Sequence, residues 1–380
     1  MTQSDYLAAA RRLEPMVAGV RDRFDGDRQL PRALVDELHT AGLFRMWQPR
    51  AIGGAELPPL EFLAVIEELS RQDGSLGWCT VIPAGYGRLA GALEEDVARA
   101  VFGSGMGILV GTLNPTGKAV AVHGGYHVTG RWSYGSFIGY GDWVLGNCMT
   151  GDAGNPEFRL CLFPRADVEV FDIWHVGGLR ATGSNDFQVT ELFVPEQHTI
   201  PLVDFQPPPR RPGPLYAIPM TSTFVSCIAT VALGIARSAI EAVIAIGAEK
   251  KTAGSSTVLR DKPLAQADLA RAEAVLSAGR AYLFSELGAM WQDAVAGRAI
   301  PLSARAAVRL AACHATQCAI QAVDLMYQTA GGAALFQSGR LERCLRDVHA
   351  AGQHVAVNWQ ASLEPVGRVL FGLPPGLARF

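Results

Sequence analysis

Two histidines and an Arg-Asp pair stand in one otherwise apolar stretch near the C-terminus, Leu345-Arg346-Asp347-Val348-His349-Ala350-Ala351-Gly352-Gln353-His354. Imidazole changes charge closest to neutral pH, so this stretch can move protons and reads as the edge of an active site. A helical rotation of about 100° per residue sets His349 and His354 roughly 140° apart, so they cannot chelate one metal as an i, i+4 pair would. One of the two is expected to be structural. The chain has no G-x-G-x-x-G after a strand, no Walker sequence and no G-x-S-x-G elbow. That argues against Rossmann-type binding of NAD(P)H, P-loop phosphate chemistry and a serine-nucleophile hydrolase.

The elements that position such residues fall into three regions. With 380 residues, 49% of them hydrophobic, the chain can bury a large core and divide into more than one domain. Residues 1–104 carry helical periodicity: Leu30, Leu34, Leu38 and Leu43 space one helix, and Leu60, Leu63, Ile66 and Leu69 another, with the turn Gly53-Gly54 between them. From 105 to 214 the texture changes to short β-rich segments punctuated by Gly, Pro, Asn and Asp, closing on the proline-rich linker 207–214. From 215 to 380 four long helices are expected, at about 217–250, 263–296, 302–330 and 339–371, forming a bundle. Cofactors in such architectures sit where helices meet another domain, so the cleft between β domain and bundle is the expected site.

Charge and cysteine usage narrow the partners. A net charge of -3, with lysine only at positions 118, 250, 251 and 262, leaves no basic surface for nucleic acid. The seven cysteines are odd in number, scattered and without a CxxC pair, which fits a reducing cytoplasmic compartment and no metal. Residues 1–23 alternate charge with alanine and do not read as a secretion signal. The apolar run 224–246 is interrupted by Ser226, Thr230, Arg237 and Glu241, so it reads as a buried helix and no membrane is implied.

Five motifs in order carry a resemblance that spans the chain: Gly53-Gly54 with Glu67-Glu68-Leu69-Ser70-Arg71-Gln72-Asp73-Gly74-Ser75, then Gly124-Gly125-Tyr126-His127-Val128-Thr129-Gly130-Arg131-Trp132-Ser133-Tyr134-Gly135-Ser136, then Gly178-Leu179-Arg180-Ala181-Thr182-Gly183-Ser184, then Gln328-Thr329-Ala330-Gly331-Gly332 and the Arg-Asp-His segment. The sequence resembles the acyl-CoA dehydrogenase fold superfamily, and most closely its two-component (group D) flavin-dependent monooxygenases. This implies an α+β fold: an N-terminal α-helical domain, a middle β-barrel or sandwich, and a C-terminal four-helix bundle.

The resemblance implies reduced FAD or FMN as cofactor, with Ser136 at the N5/O4 edge of the flavin and Tyr134 against its ring. Trp132, Thr182, Ser184, Lys250, Gly331 and Gly332 are further cofactor candidates, and Trp143 stands at the family spacing. A hydroxyl can bond the ring's polar edge while an aromatic covers its apolar face; an ordinary strand Ser and Tyr is the alternative. The dehydrogenases' catalytic glutamate is missing at both family positions, which hold Val355 and Thr252. Neither can remove a carbon-bound proton. His354 matches the histidine that the monooxygenases aim at the flavin C4a region, the alternative being a histidine that satisfies a buried carbonyl. Asn358, one turn on, is expected to orient it or touch substrate. Arg346 and Asp347 are expected to pair with each other, and His349 to act behind the site or at an interface.

Relatives carry a histidine within 78–86; this chain offers Cys79, Pro83 and Tyr86 as substrate wall. The family's Arg-x-x-Phe-Gly appears as Lys250-Lys251-Thr252-Ala253-Gly254, which keeps a cation for phosphate but changes the packing. The implied activity is oxygenation of a small apolar, aromatic or indole-like substrate by O2 through a C4a-hydroperoxyflavin, including N- or S-oxidation of a natural-product intermediate. A separate NAD(P)H:flavin reductase and a homotetramer are implied with it. The competing expectation is an atypical acyl-CoA dehydrogenase or oxidase using Glu249 or His354 as base.

Overall fold

The computed structural model describes residues 3–103, 105–151, 157–250, 257–377 and 380. Helices come first: α1 (Gln3–Arg12), α2 (Glu14–Val20), α3 (Phe24–Asp27), α4 (Arg32–Thr40), α5 (Pro59–Gln72), α6 (Gly74–Tyr86) and α7 (Glu95–Gly103). α5 buries Leu63, Ile66 and Leu69 of the spacing expected for it, together with Phe62 and Val65, while Leu60 is half-buried. α6 has no polar face, and nearly all of it is buried. It starts at Asp73, whose carboxylate accepts from the N–H groups of Ser75 and Leu76 and so caps the helix.

Strands follow: β1 (Leu109–Val122), β2 (Gly125–Gly135), β3 (Trp143–Thr150), β4 (Glu157–Pro164), β5 (Glu169–Phe171), β6 (Asn185–Pro195) and β7 (Thr199–Leu202). They form one sheet in the order β5-β6-β2-β1-β3-β4-β7, parallel between β1 and β3 and antiparallel elsewhere. Among the described residues β5 and β7 end this order, and the expected middle β domain is a seven-stranded mixed sheet.

Trp132 is the core of this domain. It is fully buried, stacks on Phe187 at 5.2 Å, and donates its indole N–H to the Asn147 carbonyl at 2.8 Å. Gly117 and Gly146 make room for the ring: a Cβ at either would fall 2.2 or 2.7 Å from indole carbons. The expectation that Trp132 touches a cofactor is therefore corrected, since no face of it is left for a ligand.

The chain then returns to helices: α8 (Pro214–Ala217), α9 (Met220–Gly247), α10 (Pro263–Val295), α11 (Leu302–Ala330), α12 (Arg340–Gly352) and α13 (Trp359–Leu370). α9 is long and apolar enough to cross a membrane, but 83% of its most apolar window is buried against α5, α10, α11 and α12. It is the central core helix. The expected fourth bundle helix, 339–371, is two helices. α12 ends at Gly352, where a Cβ would meet Ile320 Cδ1 at 2.8 Å. α13 restarts under Asn358, whose side chain accepts from the Ala361 N–H. His354 stands in the turn between them and not on a helix.

Candidate active site

The register of β2 against β6 assembles the polar part of the site. Gly135 lies opposite Asn185, so the next residues outward, Ser136 and Ser184, face each other, and their hydroxyls are 2.8 Å apart. The Phe137 N–H donates to the Thr182 carbonyl at 2.7 Å, tying the two loops together. Thr182 Oγ1 lies 2.7 Å from Ser184 Oγ and donates to the Leu179 carbonyl at 2.8 Å. From α6 the Trp78 indole N–H donates to Ser136 Oγ at 3.0 Å. Ser136, Thr182 and Ser184, expected separately, thus form one buried hydroxyl chain.

His354 joins this group through rings. Its imidazole meets Trp78 edge-on at 5.7 Å and Phe224 of α9 at 5.5 Å. Its Nδ1 accepts the Ala356 N–H at 3.2 Å, which assigns the remaining proton to Nε2. Desolvation between the rings pushes its pKa down to about 4. At neutral pH the imidazole is uncharged and has the Nε2–H to donate.

Tyr134 is 62% exposed, with its ring edge-on to half-buried Trp174 at 6.2 Å. Its backbone is left-handed, φ 67°, as is that of Phe137, φ 62°. Two strained turns thus flank Ser136 and present an aromatic pair beside a hydroxyl edge. The loop bearing Thr182 also lines a polar cleft of about 250 Å³, with Arg28, Tyr140, Asp172 and Asn185 on its walls.

α12 anchors that loop. Asp347 accepts the Leu179 N–H at 2.6 Å, and Arg346 donates to the Gly177 carbonyl at 2.7 Å. The expected Arg346–Asp347 pair is corrected: Arg346 pairs with Glu342 and Asp25, while Asp347 is buried beside Asp73. Burial, and then the Asp73 charge, raise the Asp347 pKa to about 8. His349 forms an exposed ion pair with Asp324 at 2.9 Å.

Two family models match: "Acyl-CoA dehydrogenase, N-terminal domain" over residues 5–91 and "Acyl-CoA dehydrogenase, C-terminal domain" over residues 226–359. The chain belongs to the acyl-CoA dehydrogenase family. It is 29% identical to indole-3-acetate monooxygenase of Pseudomonas putida, over 97% of this chain and 95% of that one. It is 27% identical to the flavin-dependent monooxygenase, oxygenase subunit HsaA, of Mycobacterium tuberculosis, over 98% of each. Among solved structures, XiaF from Streptomyces sp. in complex with FADH2 and glycerol superposes with a TM-score of 0.92, at 26% identity, over 99% of this chain and 97% of that one.

The two positions where the resemblance expects the dehydrogenases' carboxylate hold Val355 and Thr252. Val355 is 63% exposed, and Thr252, Ala253 and Gly254 lie outside the described residues. Lys250 sits beside Gly331, whose Cβ, were there one, would be 3.9 Å from Nζ; Gly331 has φ 54°. Burial, then Lys262, lowers the Lys250 pKa. Among the described residues, no hydrogen bond or ring contact joins Lys250, Gly331 or Gly332 to the hydroxyl chain. Trp143 meets the His198 ring at 5.2 Å instead.

The substrate candidates divide. Tyr86 lines an apolar cavity with Trp47, Val81, Ile82, Met220 and Phe224, and donates its hydroxyl to the Gly111 carbonyl at 3.3 Å. Cys79 is corrected: it is fully buried, its thiol is turned to the Ala181 carbonyl at 3.6 Å, and burial raises its pKa. Asn358 is corrected too, its side chain being the cap of α13. Sequence reasoning missed Trp78, Phe224 and Trp174. A buried indole N–H needs an acceptor, and that rule, applied to Trp78 in an apolar helix, was the available signal.

Proposed function

We infer that this chain is the oxygenase component of a two-component flavin-dependent monooxygenase, receiving reduced flavin from a separate NAD(P)H:flavin reductase and oxygenating a small aromatic substrate with O2. The observation that carries this reading is the neutral His354, held by the rings of Trp78 and Phe224, with Trp78 also bonded to Ser136, one residue before the position where the resemblance expects a dehydrogenase's carboxylate. No metal is invoked.

The residues present fit a flavin. A tricyclic ring with an apolar body and a polar edge needs aromatic walls and hydroxyl partners together, and Tyr134, Trp174 and Ser136 supply them. When bound, the reduced flavin supplies the electron pair that lets one atom of dioxygen enter the substrate while the other leaves as water. Ser136 would hold the ring's edge, and Thr182 and Ser184 would hold Ser136. His354 Nε2–H would donate to the reacting oxygen or to a substrate hydroxyl. Trp78 and Phe224 would keep water from that atom. Lys250, with the open backbone at Gly331 and Gly332, would take phosphate. The FADH2 complex of XiaF supports FAD over FMN.

The apolar cavity beyond Phe224 would seat the ring of the substrate, as the indole-bearing substrate in one relative's name supports. It holds about 20 Å³ of free space, room for a water, so seating a ring requires its lining to move. The word "subunit" in a relative's name supports the reductase partner. A homotetramer would cover the exposed Leu335, Phe336, Leu370 and Phe371. All seven cysteines are free and buried, in keeping with the cytoplasm.

The test is turnover with FAD, NADH and an unrelated flavin reductase under isotope-labelled O2, across indole and phenol acids. The expected product carries one labelled oxygen and requires the reductase. Desaturation of an acyl-CoA, with no labelled aromatic product, would overturn the reading.

A further inference from the structure

The hydroxyl chain has a direction that its two ends dictate. At one end the Trp78 indole can only donate, and Ser136 Oγ receives that proton at 3.0 Å. At the other end the Leu179 carbonyl can only accept, and Thr182 Oγ1 gives it its single proton at 2.8 Å. Thr182 therefore has only lone pairs for Ser184, 2.7 Å away, so Ser184 must donate to Thr182. Ser184 has then spent its proton, and across the 2.8 Å contact Ser136 must donate to Ser184. Every hydroxyl proton points from Ser136 toward Leu179.

The Leu179 end is held firmly. Its carbonyl also receives the Trp174 indole N–H at 3.1 Å and the Thr182 N–H at 3.2 Å, its backbone is left-handed at φ 51°, and its own N–H is fixed by Asp347. With its proton committed and one lone pair taken by Trp78, Ser136 has one lone pair left. It can accept one more hydrogen bond and donate none.

A reduced flavin carries hydrogen on N5, whereas an oxidised flavin carries a lone pair there. An oxygen that only accepts matches the first and repels the second. Resting on the proposed flavin site, we propose that Trp78, Ser184 and Thr182 act through Ser136 as positioning residues that make this site prefer reduced over oxidised flavin. For Ser136 to donate to an oxidised ring, either its bond to Ser184 is given up, or Ser184 and Thr182 both turn and the Leu179 carbonyl loses its hydroxyl. That forfeits about one neutral hydrogen bond, equivalent to roughly fivefold or more in relative affinity. An oxygenase fed by diffusion from a reductase gains from this, because oxidised flavin leaves and does not block the site.

The test is the ratio of dissociation constants for oxidised and reduced FAD, titrated anaerobically by fluorescence and ultrafiltration. The wild type is expected to favour reduced FAD. Thr182→Val and Ser184→Ala each release the Ser136 proton, and each is expected to shrink the ratio roughly fivefold or more, chiefly through tighter binding of oxidised FAD. Thr182→Ser keeps the proton on the same oxygen and is expected to keep the wild-type ratio. A mere packing role for Thr182 would not separate Val from Ser in this way. Unchanged ratios in both Thr182→Val and Ser184→Ala, or equal wild-type affinity for both forms, would overturn the inference while leaving the oxygenase reading intact. A wild type that binds neither form overturns both.

Discussion

His354 owes its chemistry to its neighbours. Placed in the 353–357 turn between Trp78 and Phe224, it is desolvated, and its pKa falls from 6.5 to about 4. Because the unfolded chain takes up this proton first, stability is present in full above pH 6.5 and is lost as pH falls toward 4. His354→Gln is expected to remove that slope, on the order of 2 kcal/mol in denaturant unfolding, while shifting turnover from product to hydrogen peroxide. A wild-type slope retained in the variant would assign the titration elsewhere. Asp347 runs the opposite way, its folded pKa of about 8 lying above the ordinary 3.8. Its proton is kept on folding, so stability is fully present at low pH and declines as pH rises through that window. Asparagine still accepts the Leu179 N–H and carries no charge. Asp347→Asn is therefore expected to gain on the wild type between about pH 5 and pH 8, which unfolding midpoints at the two values would reveal.

The helices were largely readable because apolar periodicity reports a buried stripe directly, as in α5. The break between α12 and α13 was not. Helical spacing continues through 353–358, and only the close packing of Gly352 on Ile320 and the cap at Asn358 end one helix and begin the next. Asn358→Ala is expected to cost about 1 kcal/mol and to loosen the turn that holds His354, measurable as faster amide exchange at Ala361. In the sheet, the motif around Trp132 marks the right strand, but its pattern alone does not say which aromatic faces inward. Trp132 fills the core and Tyr134 stands outside. Trp132→Ala is expected to cost about 3–5 kcal/mol in unfolding, and Tyr134→Ala much less, with weaker flavin binding instead. The reverse order would mean that the two rings' roles are exchanged.

As a whole the molecule brings three regions to one point: Trp78 from the N-terminal helices, Ser136 and Ser184 from the sheet, and Phe224 and His354 from the C-terminal helices. The ordered motifs named the family and the neighbourhoods of Ser136, Ser184 and His354, because each is a local run; Phe224 lies in none of them. Which side chains bond across regions depends on β2–β6 register and on the α6 face, and neither is written in any one segment. The apolar residues left exposed on α13 and beyond α11 predict self-association. Leu370→Glu with Phe371→Glu is expected to lower the mass seen by light scattering, and an unchanged mass would move the interface elsewhere. The deciding measurement mixes the anaerobic protein, loaded with reduced FAD, with oxygenated buffer and follows the visible band of oxidised flavin. A distinct delay is expected before that band appears, shortened in His354→Ala and Ser136→Ala. Immediate reoxidation by the wild type, at the rate of free reduced flavin, would contradict the oxygenase reading.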